Sequence, residues 1–368
     1  MRSSVAAAAG LLALVVVPAC GAKAAPPQKL ESYSLTFGPI TVPAGVERTQ
    51  CVILRLGNPD KIHVGAIHNV LGTASHHMIV YRVNDTVEQP TPFDCKPFTD
   101  TLDPTKGSPL MVTQKKDDLL TLPPGVAYTL DAQQMVRIEM HYINASPQDV
   151  TLTSSTEMQQ TADADFQNEA DFLFIGSPDI SLPPHQSTTL GPAFFPLPSD
   201  FADVSFFALT GHEHQFGTKV TVSTSMSKDD PGTPVYDVPG WRWDEPVTQM
   251  HDPTFKIPDG GGFRFSCEWN NTSDSTVKFG ESATDEMCFF WAYYYPSQGA
   301  KVCFHTEKSA PKYPSSAFSP KSTQPRSARA SIATRRATIR PLARLRSRRS
   351  ASTPITTPWS IRTTTSSP

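Results

Sequence analysis

Short runs of apolar and β-branched residues, interrupted by Pro, Gly, Asn and Asp, predict a chain built from β-strands. The clearest predicted strands are 50–56, 77–83, 136–143, 203–209, 219–224, 263–269 and 289–295. Helical periodicity is weak throughout, and the nearest candidate for a helix is 163–171. The pattern therefore predicts an all-β protein.

The strand-rich body is long for a single sandwich. Residues 30–307 amount to about 280 positions, which suits two sandwiches better than one. The polar stretch 154–168 is the expected linker. We therefore predict one domain over residues 30–170 and a second over residues 171–307.

The composition changes abruptly at about residue 307. Residues 308–368 contain ten arginines, three lysines, no acidic residue and no glycine. Because the whole chain carries −3, residues 1–307 carry −16. This basic stretch is predicted to be a disordered, low-complexity tail, the alternative being an arm that binds anionic lipid, polysaccharide or nucleic acid. We expect no nucleic-acid partner.

The first twenty residues predict export. Met1 and Arg2 precede an apolar run over 5–17, followed by the small-residue sequence VPAC that ends at Cys20. The segment resembles a bacterial lipoprotein signal in which Cys20 is lipidated, although Pro18 fits the lipobox imperfectly. The expected location is the cell envelope, with membrane contact only through the lipid anchor, and ordinary secretion is the alternative.

Histidines supply the candidate chemistry. Ten occur in the chain, and four of them form two tight pairs, His76 with His77 and His212 with His214. Alternate histidines of a strand share a face, so His212 and His214 can reach one metal ion while Glu213 turns away. Adjacent histidines point to opposite faces, so His76 and His77 can do so only where a turn or bulge re-aims one ring.

Five cysteines follow Cys20, and no CxxC spacing occurs among them. Export permits disulfides, but an odd count leaves one thiol unpaired. A zinc knuckle and a thioredoxin-type motif are therefore disfavoured, and further metal ligands are expected to be histidine, methionine or carboxylate.

The motifs SHHM, MHY, GHEH and SATDEMC, in this order, resemble the copper type II, ascorbate-dependent monooxygenases, a family that includes peptidylglycine α-hydroxylating and dopamine β-monooxygenases. The resemblance covers roughly residues 30–305. It implies two tandem jelly-roll β-sandwich domains that face each other across a water-filled cleft and hold one copper each. Six positions match the family's ligands: His76, His77, His141, His212, His214 and Met287.

The resemblance implies distinct roles for the two ligand sets. The three histidines of the N-terminal set would hold the copper that stores and delivers an electron. The set of His212, His214 and Met287 would hold the copper at which oxygen and substrate meet, and its thioether favours Cu(I). The implied cofactors are two coppers, with O2 and ascorbate or a similar external electron donor as co-substrates.

The same comparison implies two disulfides, Cys51 with Cys95 and Cys267 with Cys288, and leaves Cys303 over. It also implies hydroxylation of a C–H bond in a small organic or peptide substrate. Peptide-amidating members hold the substrate carboxylate with an arginine, an asparagine and a tyrosine. Thr210, Phe289 and Trp291 stand in those places here.

Other interpretations of the same residues remain open. Taken alone, His141 and Met287 are more typical of core packing than of metal binding. Glu139, where the family often has glutamine, would alter the electron path or simply face solvent. His251 lies in a polar loop and matches no ligand position. The alternative function is a non-catalytic envelope protein that stores copper or binds a glycan.

Overall fold

The computed structural model describes residues 28–96, 103, 106–306 and 309–312, and nearly every regular element in them is a β-strand. The all-β prediction is therefore confirmed. Helical structure in these ranges is limited to one 3-10 turn, Ser199–Phe201, and none of it is long and apolar enough to cross a membrane. The predicted export signal with Cys20 and most of the basic stretch lie outside the described residues.

The strands of the first half are long and closely spaced. They are β1 Ser32–Val42, β2 Glu47–Arg55, β3 Ile62–Val70, β4 Ser75–Val83, β5 Gln89–Asp94, β6 Gly107–Thr113, β7 Asp117–Thr121, β8 Val126–Leu130, β9 Met135–Ile143, β10 Val150–Thr161 and β11 Asn168–Glu169.

The second half contains the remaining described strands. They are β12 Asp171–Gly176, β13 Ser181–Leu182, β14 Gln186–Pro196, β15 Ser205–His212, β16 Gly217–Ser225, β17 Thr233–Asp237, β18 Gln249–Phe255, β19 Gly262–Asn271, β20 Val277–Lys278, β21 Phe289–Tyr295, β22 Lys301–Thr306 and β23 Ser309–Lys312.

Four large sheets organise these strands. Sheet 1 has the order β1-β10-β3-β8-β11 with β7 beside β3, and sheet 2 has the order β5-β2-β9-β4-β6. Sheet 3 has the order β18-β15-β21-β12-β22-β23, and sheet 4 has the order β14-β19-β16-β17. Strands before Ala170 pair in sheets 1 and 2, whereas the described strands after it pair in sheets 3 and 4 or in the small β13-β20 ribbon. The jelly-roll connectivity and the exact domain limits stay predictions.

The stretch expected to link the domains is mostly a strand. Residues 150–161 form β10, which lies between β1 and β3 in sheet 1. Leu152, Ser154, Thr156 and Met158 alternate inward along it and are buried. The linker prediction was wrong because Ser and Thr occupy part of the buried face of β10, so the stretch has the polar composition of a linker. A strand accommodates such residues when its face packs well against its neighbours.

The helix candidate at 163–171 was also wrong, since this stretch makes a turn and then the short strand β11. The predicted basic tail begins inside the fold. Ser309–Lys312 forms β23, which pairs with β22 at the edge of sheet 3.

The central strands of sheet 3, β12, β15 and β21, are buried on both faces. Along β21, Phe289, Trp291 and Tyr293 belong to the apolar cluster of the first half, and Phe290 and Tyr294 belong to the cluster of the second half. Successive side chains of a strand point to opposite faces, so the aromatic run supplies two cores at once. This continuous apolar run is typical of a strand covered on both sides.

Sheet 2 of the first half packs directly against sheet 3. Ile79 and Val112 line the same small cavity as Phe174 and Trp291, and the backbone N–H of Val112 donates to the hydroxyl of Tyr293 at 3.1 Å. Where the family resemblance implies a water-filled cleft, the described residues show apolar contact. We call this contact between sheets 2 and 3 the seam.

A partly buried polar cluster ties the halves together where the chain crosses between them. Arg82 donates to the carboxylate of Glu169 and to the carbonyl of Thr129, and its second terminal nitrogen lies 3.9 Å from Asp171. Asp171 also accepts from Ser108 at 3.2 Å and from Ser297. Burial raises the pKa of Asp171, and Arg82 opposes that rise.

Removal of this guanidinium should destabilise the whole body. In an Arg82→Met variant the carboxylate of Asp171, which is 1% exposed, loses its cation, and the loss of one partner of a buried ion pair costs roughly 3 kcal/mol. Urea unfolding followed by tryptophan fluorescence measures the loss. The exposed Arg48→Met is the matched control, and equal midpoints for the two variants would contradict the prediction.

Candidate metal centre

A β-bulge at the start of β4 brings His76 and His77 together. The pairing of β4 with β9 shifts register between Ser75 and His77, and Ala74 just before it has a φ of 68°. An inserted residue re-aims the side chains on either side of it, which adjacent histidines of a regular strand require in order to meet. The Nδ1 atoms of His76 and His77 consequently lie 3.2 Å apart.

His141 completes a group of three. It lies on β9 directly opposite His77 in the strand register, and its ring centroid is 5.0 Å from each of the other two rings. One ligand atom from each of the three histidines can be chosen so that all lie within 4.8 Å of one another. Three histidines from β9 and the bulged strand β4 thus form a compact set of nitrogen donors.

Glu47 of β2 orients the third histidine. Nε2–H of His141 donates to its carboxylate at 2.9 Å, which leaves Nδ1 as the nitrogen with a free lone pair. The same carboxylate accepts from the backbone N–H of Ala283 at 3.0 Å and from the hydroxyl of Ser282. The hydrogen bond from His141 is the main reason that the pKa of Glu47 is lowered to about 2.

The second histidine pair lies where β15 ends. Nδ1–H of His212 donates to Gln114 Oε1 at 3.0 Å, and Nδ1–H of His214 donates to the carbonyl of Asp285 at 3.2 Å. Both rings therefore keep the lone pair of Nε2 for another partner. Their centroids are 5.1 Å apart, as expected for two donors that reach one point.

The two histidine sets meet at the seam. The ring of His76 lies 6.4 Å from that of His214, and the ring of His77 lies 6.3 Å from that of His212. The sequence predicted two separate copper sites that face each other across a cleft. The structure instead places His76, His77, His141, His212 and His214 in one group, which we call the five-histidine cluster.

Met287, the remaining predicted ligand, is buried just before β21. It is 1% exposed and belongs to the apolar cluster at the seam. Its backbone N–H donates to Glu286 at 3.2 Å, and the same carboxylate accepts from the backbone N–H of His214 at 2.9 Å. Glu286 also accepts from Phe216 and Trp269, so one side chain fixes the chain segments that carry His214 and Met287.

Burial favours the uncharged form of four histidines of the cluster. Desolvation lowers the pKa of His76, His77 and His212 well below the usual value, and it lowers that of His214 to about 4. Neutral imidazole is the form that binds metal ions. The Nε2 atoms of His76, His77 and His212 are buried without a hydrogen-bond partner among the described residues. Buried polar atoms normally have partners, so these residues fit a metal ion.

The other histidines lie outside this cluster and have local partners. His63 stacks on Phe166. Nε2–H of His251 donates to the carbonyl of Val235 at 2.9 Å. His68, His185 and His305 contact Asp117, Asp274 and Phe265 respectively.

Four residues of the site escaped the sequence analysis as functional candidates: Glu47, Gln114, Trp243 and Glu286. The ring of Trp243 stacks on His76 with centroids 5.5 Å apart. Glu286 adjoins Met287, so its position along the chain was a usable signal. The other three are distant in sequence from the residues that they contact, and no local pattern identifies them.

Glu139 is buried, so the alternative in which it faces solvent was wrong. Its Oε2 accepts from the hydroxyl of Tyr81 at 3.0 Å, and its Oε1 lies 4.0 Å from Nε2 of His77. A carboxylate thus stands beside the N-terminal histidine set, on the seam side of sheet 2.

A small cavity lies between His77 and His212. Its other lining residues are Ile79, Val112, Gln114, Phe172, Phe174 and Trp291. It has room for about one water-sized molecule. Gln114 is the single polar residue in that lining besides the two histidines, so the space between the two histidine sets is narrow and mainly apolar.

Both expected disulfides are present. Cys51 is bonded to Cys95, and Cys267 is bonded to Cys288. The second bond joins β19 of sheet 4 to the residue that follows Met287. Cys303 is a free, buried thiol, as the odd count predicted, and burial raises its pKa to about 12.

Comparison with known proteins finds a family match in the C-terminal half of the chain. Residues 169–315 match the model of the copper type II ascorbate-dependent monooxygenase C-terminal domain. The family resemblance predicted from the sequence is therefore confirmed.

A curated relative points the same way. The tyramine beta-hydroxylase of Caenorhabditis briggsae is 27% identical over 190 residues, which cover 46% of this chain and 30% of that protein. The chain thus matches less than a third of the length of the relative.

The solved structures to which this chain is similar resemble it only weakly. The major capsid protein P2 of bacteriophage PM2 is 11% identical with a TM-score of 0.32, covering 73% of this chain and 100% of that one. A structure of infectious bursal disease virus, Gt strain, is 12% identical with a TM-score of 0.16, covering 76% of this chain and 77% of that one.

The buried carboxyl of Glu286 should give the copper-free protein a distinctive pH dependence. Desolvation raises its pKa from 4.5 to about 7 despite four N–H donors, so the folded state binds this proton more tightly than the unfolded state does. The resulting stabilisation is complete below pH 4.5 and is lost as the pH rises through 7. Relative to Glu286→Gln, the free energy of unfolding of the wild type should fall by roughly 3 kcal/mol between pH 4.5 and a pH above 7.

Urea unfolding of both proteins at a series of pH values measures this difference. The matched control is Glu268→Gln, which alters an exposed carboxylate of β19. A difference between wild type and Glu286→Gln that stays constant with pH would contradict the prediction.

Proposed function

We propose that this protein is a monooxygenase that uses two coppers, O2 and a one-electron reductant such as ascorbate to hydroxylate a C–H bond of a small organic or peptide substrate. The observation that carries the proposal is the five-histidine cluster, in which buried imidazoles with unpaired nitrogens lie together in a chain whose residues 169–315 match a copper monooxygenase domain.

The ligand sets support different roles. We propose that His76, His77 and His141 hold the copper that delivers an electron, because three imidazoles serve both oxidation states. His212, His214 and Met287 would hold the copper at which oxygen is reduced, because a thioether favours Cu(I). When bound, copper supplies one-electron redox chemistry and a site for oxygen.

The surrounding residues perform the positioning. Glu47 holds the proton on Nε2 of His141, whereas Gln114 and the carbonyl of Asp285 hold protons on Nδ1 of His212 and His214. These bonds fix the tautomer and the direction of each ring. Phe174, Trp291 and Ile79 exclude bulk water from the space beside His77 and His212, and dry surroundings strengthen electrostatic interactions there.

Replacement of Met287 distinguishes a copper-dependent enzyme from a copper-storage protein. In Met287→Ile, we expect ascorbate-dependent turnover to be lost, because the second ligand set is left with two imidazoles. Copper retained after dialysis should fall from about two per chain toward about one. Oxygen consumption and elemental analysis measure the two effects.

Met158→Ile is the matched control, since Met158 is a fully buried methionine of β10 in sheet 1. A shortened form for these assays should extend to residue 315, because β23 and the matched family domain both pass residue 307. Copper retention near zero in the wild type would reject the proposal. Two retained coppers without turnover on any substrate screened would favour copper storage.

We propose that the substrate is not anchored through a carboxylate. Thr210 is buried and bonds to the hydroxyl of Thr248 at 2.8 Å, whereas Phe289 and Trp291 are buried aromatic residues. None of these side chains carries the positive charge that a carboxylate prefers.

Glycine-extended peptides should therefore be poor substrates. In an assay with ascorbate and oxygen, a peptide that ends in glycine should be turned over no faster than its C-terminally amidated counterpart, which lacks the carboxylate. Robust amidation of the glycine-extended peptide would overturn this prediction.

We also propose that the chain is exported and anchored through Cys20. The two disulfides support an oxidising compartment. Labelling cells with radioactive palmitate tests the anchor, and a protein that stays unlabelled would reject it. Export is tested separately, by cell fractionation.

A further inference from the structure

We propose that one face of strand β21 carries single electrons from the protein surface to the neighbourhood of His212. This transfer protects the copper site, which we take from the proposed function, when peroxide reacts there without substrate. The face consists of Trp291, Tyr293 and Tyr295, which we call the aromatic chain. Indole and phenol rings can give up one electron and recover it, which phenylalanine and aliphatic side chains do not do under the same conditions.

The inner end of the aromatic chain lies beside a proposed copper ligand. Trp291 pairs with Thr210 of β15 in the strand register, and its ring centroid is 5.8 Å from that of His212. Both Trp291 and His212 belong to sheet 3, so their proximity does not depend on how sheet 2 packs against this sheet. An oxidisable ring therefore stands next to the place where an oxidant would form.

The aromatic chain continues along the strand without an interruption. Tyr293 and Tyr295 follow Trp291 at intervals of two residues, so the three side chains leave the same face in steps of about 7 Å. The ring of Phe207 lies 5.9 Å from that of Tyr293 and 6.3 Å from that of Tyr295. Phe172 of β12 lies opposite Tyr293, with centroids 5.5 Å apart. The oxidisable rings are thus embedded in one layer of aromatic contacts.

The outer end of the aromatic chain reaches the surface. Trp291 and Tyr293 are buried, whereas Tyr295, the last residue of β21, is partly exposed. Its hydroxyl lies 3.5 Å from that of Thr254. A small reductant such as ascorbate can therefore approach Tyr295, and solvent water can accept the phenolic proton.

The electrons and protons of the protective reaction balance. Hydrogen peroxide becomes two molecules of water by taking up two electrons and two protons. The reduced copper site supplies one electron and Trp291 supplies the other, which leaves an indole radical cation. Tyr295 returns an electron to Trp291 across the ring of Tyr293 and releases its phenolic proton to water. Ascorbate then donates a hydrogen atom to the Tyr295 radical and becomes the ascorbyl radical, so no amino acid stays oxidised.

Electron paramagnetic resonance tests the route on the full-length mature protein. The copper-loaded, reduced protein is mixed with hydrogen peroxide without substrate or excess ascorbate and is frozen rapidly. We expect a tyrosyl signal that narrows when the protein carries ring-deuterated tyrosine and that is lost in Tyr295→Phe. Tyr33→Phe is the matched control, because Tyr33 is a partly exposed tyrosine of β1, and it should keep the signal. A tyrosyl signal of full strength in Tyr295→Phe would overturn the proposal.

Mass spectrometry tests the protective effect. During exposure to peroxide and ascorbate, Tyr295→Phe should accumulate oxidised Trp291 and His212 several-fold faster than the wild type does. The initial rate of ascorbate-dependent oxygen consumption should be unchanged. Tyr295→Trp should restore protection, because an indole also gives up an electron, which a purely structural role of Tyr295 would not explain. Equal damage in the wild type and Tyr295→Phe would contradict the aromatic chain.

Copper content and turnover, measured on the same samples, separate this proposal from the proposed function. A wild type that retains copper and turns over, but shows no tyrosyl signal and no faster damage in Tyr295→Phe, would reject the aromatic chain and leave the monooxygenase standing. A wild type that retains no copper would reject the proposed function, and the protective role with it.

Discussion

The packing of sheet 2 against sheet 3 is the constraint on which the rest of the structure depends. Because sheet 3 also covers the core of the second half, its strands must be apolar on both faces, and the run from Phe289 to Tyr295 meets that need. The same contact buries the five histidines and excludes water from them. Low pKa values, unpaired ring nitrogens and the narrow cavity all follow from this one seam.

Burial of so many polar groups is stable only if most of them have partners. Carboxylates supply many of these partners: Glu47 on His141, Glu286 on the segments of His214 and Met287, and Asp171 at the crossing between the halves. Among the described residues, the unpartnered buried nitrogens are concentrated at the cluster: three of the six belong to its histidines, and two belong to Gln114 and Trp291, which line the adjoining cavity. That concentration distinguishes a binding site from an ordinary core, in which unpaired donors and acceptors are scattered and few.

The sequence predicted those features that depend on local pattern. The alternating strands were found, as was the need for a bulge at His76, because periodicity and adjacent histidines are visible along the chain. Strand β10 was missed because its inward face uses Ser and Thr. Gln114 and Glu47 were missed because their roles arise only when distant strands meet, and no local signal records a contact between residues 98 positions apart.

The closed seam bears directly on how a substrate could reach the cluster. A cavity for about one water-sized molecule admits oxygen-sized species but no organic molecule. On the proposed function, a substrate therefore requires the halves to part or the stacked ring of Trp243 to leave His76. Parting would break the hydrogen bonds that His212 donates to Gln114 and that the backbone N–H of Ala283 donates to Glu47. Closure would restore these hydrogen bonds. The contacts that orient the histidine ligands therefore also couple the entry of a substrate at the seam to the arrangement of those ligands.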